Sequence, residues 1–234
     1  MSQFISTTSL LQSNVPLVVG AVSDIATLLD LSANPTSAEF CDVIELRLDS
    51  IELPVDEIKI HAGKLTRPIL ITARDPAEEG RRNLDIKART ALLEALLPHA
   101  ALMDIELRNA PEMLALIRNA QSKRVPVIAS FHDFSGTPNE DVLLGAVDFA
   151  LQFKLDAVKL ATQLNSPDDL ARLQRVLTSG KRIPMSVMGM GALGRVSRLL
   201  LAKCGSVFNY GYLGTANAPG QWPAQKLKEL IKEL

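Results

Sequence analysis

Short apolar runs rich in β-branched residues recur along the chain, and between them the apolar residues fall at helical spacing. The pattern predicts strands at Pro16–Val22, Asp42–Leu48, Pro68–Arg74, Ala101–Leu107, Pro126–His132, Asp156–Thr162, Ile183–Met190 and Ser206–Tyr212. Most of these runs are too apolar to have a wet face, as expected of parallel strands covered on both sides. The segments between them are amphipathic. Asn83–His99 carries leucines at helical spacing and ends near Pro98. Asn109 reads as an N-cap with Pro111 in the first turn of the next helix. Ser166 precedes Pro167 and two acidic residues, and Gly180 supplies a stop. Asn139–Phe153 and Ala192–Gly205 follow the same logic. Eight strands alternating with helices predict a (β/α)8 TIM barrel, an α/β fold in a single domain spanning residues 1–234. An open doubly wound sheet is the alternative, but no GxGxxG follows the first strand.

Composition narrows the partners. The 234 residues are 47% hydrophobic and 22% charged, with a net charge of −1. That balance gives no electrostatic reason to expect nucleic acid or an anionic membrane. Aromatics, at 4%, are too scarce for base-stacking platforms. Cys41 and Cys204 form no CxxC and have no nearby His, so they read as small buried hydrophobes rather than zinc ligands. The segment MSQFISTTSLLQSNVP lacks the basic region and apolar core of a signal peptide, and no uncharged apolar run has the ~18 residues of a membrane span. A cytoplasmic location is the expectation.

In such a barrel the catalytic side chains belong at the C-terminal strand ends. Those ends supply Glu45 and Arg47, Arg74, Glu106, His132, Lys159, and Met188 with Met190. Taken singly, each has a plain structural reading. A lysine snorkels to the rim, a histidine is satisfied in place, an arginine pairs with a nearby carboxylate such as Glu45 or Asp49, and the methionines pack the wall. His61 and His99 fall in helix or loop segments and read as surface residues. Together, a lysine on an apolar strand, a titratable histidine one strand away and several arginines make a constellation for carbonyl chemistry on an anionic substrate. Burial disfavours the ammonium and turns such a lysine into a nucleophile.

Here the sequence resembles the type I 3-dehydroquinate dehydratases, the Schiff-base enzymes of the shikimate pathway. The motifs run in family order from DVIELRLD through ILITARDPAEEG, VIASFHDF and DAVKLAT to MGMGALGRVSR and TANAPGQW, covering the chain from about Leu17 onward. The resemblance implies that Lys159 forms an iminium with the ketone of 3-dehydroquinate, that His132 is the general acid/base, and that Glu78 orients and tunes it. It implies substrate contacts from Glu45, Arg47, Arg74, Asn217 and Gln221, with Arg198 holding the substrate carboxylate. It implies no metal, flavin or nicotinamide cofactor, a small-molecule substrate as partner, and a homodimer.

The chain departs from the family pattern at two points. Asn217 stands where the family has serine, and Glu79 stands where the family's EGG has glycine. Residues 3–16 are expected to form an abbreviated N-terminal hairpin or closing segment. Two further functions compete: a class I aldolase acting on another keto acid, and a non-catalytic protein binding a quinate-like ligand on a degraded barrel.

Overall fold

The computed structural model describes residues 10–180, 182–216 and 220–234. Among the described residues, eight parallel strands alternate with helices in a nearly closed barrel. The strands are β1 (Leu17–Val22), β2 (Val43–Arg47), β3 (Ile69–Thr72), β4 (Leu102–Glu106), β5 (Val127–Asp133), β6 (Ala157–Gln163), β7 (Met185–Met190) and β8 (Phe208–Leu213). The helices that follow them are α1 (Ile25–Ala33), α2 (Val55–Ala62), α3 (Ile86–Leu96), α4 (Leu114–Ser122), α5 (Glu140–Gln152), α6 (Pro167–Leu177), α7 (Gly194–Lys203) and α8 (Ala224–Glu233). Each predicted strand falls on an observed one. The hydrogen-bonded strand order β7-β6-β5-β4-β3-β2-β1-β8 excludes the doubly wound alternative.

The ring closes differently at β7 and β8. No backbone ladder joins those two strands. Instead the Phe208 amide donates to Ser186 Oγ at 3.1 Å and the Val187 amide to Ser206 Oγ at 3.0 Å, beside a backbone bond from Val207 to the Met185 carbonyl. Both serines are buried.

Alternation along each strand sorts side chains into two compartments. Ile44, Leu46, Ile71, Met103, Ile105, Val158 and Leu160 face the helices in one apolar cluster, whereas Val43, Leu70, Leu102, Ile128 and Ala157 fill the barrel floor in another. Counting on by two from the floor residues gives Glu45, Thr72, Asp104, Ser130 and Lys159, then Arg47, Arg74, Glu106, His132 and Ala161. The upper barrel is therefore polar for the same geometric reason that its floor is apolar.

Side-chain caps from Asp24, Asp85, Asn139 and Ser166 start four of the eight helices named above. Ser166 caps α6 in a capping box with Asp169, as its sequence suggests. Asn109 departs from expectation. Helix α4 begins at Leu114, with Met113 at its cap, and Asn109 lies in a preceding 3-10 turn. Its amide donates instead to Asp75 at 2.7 Å and Glu106 at 3.3 Å, because a buried carboxylate network gives it stronger partners than a helix end does. Of the expected N-terminal hairpin, residues 3–9 lie outside the described residues. Residues 10–16 hold a helical turn at Leu10 and Leu11 and no strand, and Leu10 packs into the barrel-floor cluster.

Candidate active site

The pocket at the C-terminal mouth of the barrel is lined by residues from nearly every strand, including Glu45, Arg47, Arg74, Glu78, His132, Lys159, Arg198 and Gln221. Eight of the nine sequence-predicted site residues thus converge there. The ninth, Asn217, lies outside the described residues.

Lys159 points inward from the middle of β6 and is 5% exposed. Its Nζ lies 3.3 Å from Asp104 Oδ2, 3.9 Å from Glu45 Oε1 and 4.2 Å from the centroid of the Tyr210 ring. Burial, aided by Arg74 and Arg47, holds the amine below its ordinary pKa, while Asp104 and Glu45 pull the other way. Desolvation prevails, so the free amine is available at lower pH than on an exposed lysine.

His132 lies one residue before the end of β5, beside Glu78, with Nδ1 2.8 Å from Glu78 Oε2. Burial pushes Glu78 up to about 8 and pushes His132 well below its usual range, with Arg74 and Lys159 adding to the effect on the histidine. Arg74 Nη1 stands 3.4 Å from the same Nδ1. A guanidinium can only donate. Both contacts are satisfied when Nδ1 presents its lone pair and Glu78 carries the proton, which agrees with the direction of both shifts. The dyad then holds one shared proton at neutrality, with Nε2 left to act outside the pair.

Arg74 itself is tied beneath this dyad. Its guanidinium donates to Glu106 at 2.9 Å and Ser130 at 2.6 Å and pairs with Asp104 at 3.2 Å. Glu106 continues the chain to Arg89 at 2.6 Å, which also pairs with Asp75 at 3.1 Å. Buried charges of both signs are thus interleaved, each with a partner. Arg47 is held by a bidentate pair with Asp49, both contacts at 2.9 Å. Burial pushes the Asp49 carboxyl up, but Arg47 and the amides of Arg81 and Arg74 hold it below its usual range.

Arg198 differs from these arginines. It projects from α7, is 3% exposed, and donates from Nη1 to the Tyr210 carbonyl at 3.2 Å. Its Nε has no partner among the described residues, and burial alone pulls its pKa down to about 10. Among the described residues, no carboxylate balances it. A buried guanidinium in that condition is a receptor for an anion. Gln221 approaches from the loop after β8. Gly220, at φ +74°, turns that loop against the Gly191 carbonyl, where a Cβ would come within 2.3 Å.

Sequence reading missed Asp104, Ser130 and Tyr210. Asp104 is fully buried, and although burial pushes its carboxyl up, Arg74 and Lys159 hold it below its usual range. The signal was available: Asp104 sits two residues before Glu106, Ser130 two before His132, and Tyr210 two beyond Phe208 on the inward face. Among the described residues, no group of three or more His, Cys, Asp or Glu side chains is placed to hold a metal ion.

A family model describing type I 3-dehydroquinase matches residues 15–234. The 3-dehydroquinate dehydratase of Methanothrix thermoacetophila is 31% identical over 200 residues, covering 86% of this chain and 85% of that protein. The crystal structure of 3-dehydroquinate dehydratase from Geobacillus kaustophilus superposes with a TM-score of 0.83 at 25% identity, covering 95% of this chain and 92% of that one. The Aquifex aeolicus 3-dehydroquinate dehydratase structure gives 0.80 at 27% identity, covering 93% and 98%.

Proposed function

Because this chain belongs to the type I 3-dehydroquinases, we propose that its pocket dehydrates 3-dehydroquinate to 3-dehydroshikimate, with Lys159 as nucleophile and the His132–Glu78 dyad as proton carrier. The observation that carries the assignment is the pairing of a buried amine, Lys159, with a buried guanidinium, Arg198, that has no counterion among the described residues. One suits the ketone and the other the carboxylate of a cyclic keto acid. The aldolase alternative shares the lysine but gives no reason for the family's Arg198 and APGQ motifs. The binding-only alternative gives no reason for a lysine whose ammonium is destabilised.

The steps follow from the groups present. The Lys159 amine adds to the ketone carbon, and loss of water from the carbinolamine leaves a protonated imine. The imine accepts the electron pair when the α-proton is removed, giving an enamine. The enamine expels the β-hydroxyl, which leaves as water after gaining a proton. Water then hydrolyses the conjugated imine, releasing the enone and free lysine. His132 suits each proton movement. When Nε2 gives its proton to a departing hydroxyl, Glu78 passes the shared proton to Nδ1, so the histidine stays neutral and Nε2 becomes an acceptor. Reversal of that shift resets the pair.

Arg198 holds the substrate carboxylate, and Glu45, Arg47, Arg74, Asn217 and Gln221 orient the ring and its hydroxyls. We extend the same reading to a place in the cytoplasm and a homodimer. Two free cysteines and the absence, among the described residues, of any helix long and apolar enough to cross a membrane support the location. Light scattering tests the assembly.

The chemistry is tested by incubating the protein with 3-dehydroquinate and borohydride and mapping the modified peptide. A reduced adduct on Lys159, absent from Lys159→Ala, is the expected result. No adduct on well-folded protein would overturn the imine route and favour the binding-only reading.

A further inference from the structure

Tyr210 is the residue of this pocket that touches both anchors. Its ring face lies 4.2 Å from Lys159 Nζ, and its backbone carbonyl accepts from Arg198 Nη1 at 3.2 Å. It is 4% exposed, faces inward from β8, and lines the pocket. Its hydroxyl is buried with no hydrogen-bond partner among the described residues. A buried phenol normally finds a partner. The hydroxyl here is not what fixes the ring in place.

We propose that Tyr210 is a positioning residue whose ring face stabilises the cationic imine on Lys159. Its carbonyl at the same time holds Arg198 at a set distance from that nitrogen. The inference rests on the reading that Lys159 forms an imine. An ammonium has three N–H donors, and Asp104 Oδ2 accepts one of them. A protonated ketimine has a single N–H, so most of the ammonium's capacity for directional bonds to carboxylates is lost as the covalent bond forms. Attraction between a cation and a ring face needs no N–H. It survives the conversion, and it is absent from the neutral carbinolamine. The ring therefore favours the intermediate over the adduct that precedes it.

Other charges face the same nitrogen: Asp104 from β4, Glu45 and Arg47 from β2, and Arg74 from just beyond β3, with His132 adjacent on β5. None of them is altered by changing the ring. The test is a series in which Tyr210 is replaced by phenylalanine and then by phenylalanines of increasing fluorination, which keep the shape and drain the ring face of negative charge. The readouts are the fraction of Lys159 trapped by borohydride with saturating 3-dehydroquinate and the acid limb of kcat/KM.

Tyr210→Phe removes the hydroxyl, keeps the ring face, and sets the reference from which the fluorinated variants are read. Fluorination should weaken the imine equilibrium progressively, by roughly 3- to 30-fold across the series. It should also move the lysine limb to lower pH, because the ring no longer favours the ammonium. A series with unchanged trapping and unchanged limb, on a parent enzyme that does form the Lys159 adduct, overturns the proposal. Loss of trapping already in Tyr210→Phe also overturns it, by assigning the work to the hydroxyl. A parent enzyme with no Lys159 adduct removes the imine reading itself, and this inference with it.

Discussion

A carboxylic acid that keeps its proton to about pH 8 alters how folding responds to pH. Burial raises Glu78 from 4.5 to about 8, so between those values the folded protein binds a proton that the unfolded chain releases. Stability from this group is full below about 4.5 and is lost as pH rises through about 8. His132 acts in the opposite sense. Its folded pKa lies well below 6.5, so its contribution grows as pH rises towards 6.5. Glu78→Gln deletes the falling component and leaves the rising one. Urea titrations at pH 5, 6, 7 and 8 should show the variant gaining on the parent as pH increases. A constant difference across that range would mean that Glu78 is ionised in the folded protein. The same substitution keeps a hydrogen bond to Nδ1 but cannot exchange a proton, so kcat should fall about 10-fold or more.

The element that carries Glu78 is the loop between β3 and α3, and its backbone is strained at the next residue. Glu79 adopts φ +61°, a left-handed conformation that costs an L-residue roughly 1–2 kcal/mol. Glu79→Gly should relieve that strain, offset in part by about 0.5–1 kcal/mol of added unfolded-state freedom. We expect a net gain near 0.5–1 kcal/mol with an unchanged urea slope. Because Glu79 is exposed at the pocket mouth, the variant should also bind the anionic substrate about two- to five-fold more tightly at low salt. That gain should fade as salt is added; one that persists at high salt is not electrostatic. Loops such as this were the part of the site least legible from sequence. A strand announces its period-two pattern, so Lys159, His132 and Arg74 could be placed at one mouth from spacing alone. Nothing local announces that Glu79 is left-handed, or that Asn109 leaves its helix end for Asp75 and Glu106, because those outcomes depend on groups remote in sequence. Asp104 and Tyr210 were legible by parity along β4 and β8, yet an aspartate and a tyrosine inside apolar strands invite a structural reading until the lysine between them is seen.

At the scale of the molecule, the alternation of apolar runs and amphipathic segments was enough to give the barrel, since eight parallel strands with short connections leave few other ways to bury both faces. What that alternation could not give is where the barrel's ladder is interrupted. Seven of the joints implied by the strand order are backbone ladders, and the one between β7 and β8 is made by the hydroxyls of Ser186 and Ser206 beside a backbone bond from Val207 to Met185. Lys159 stands on β6, before that seam, and Tyr210, which receives Arg198, stands on β8, beyond it. A substrate bonded to Lys159 and gripped by Arg198 therefore spans the gap. Hydrogen exchange measured before and after borohydride trapping should show the Val187 and Phe208 amides slowed more than those of the other strands; uniform slowing would mean that the adduct merely stabilises the whole fold. The reacting molecule then serves as a temporary clasp on the hoop that holds it, and releasing the product leaves that hoop unlatched until the next substrate binds.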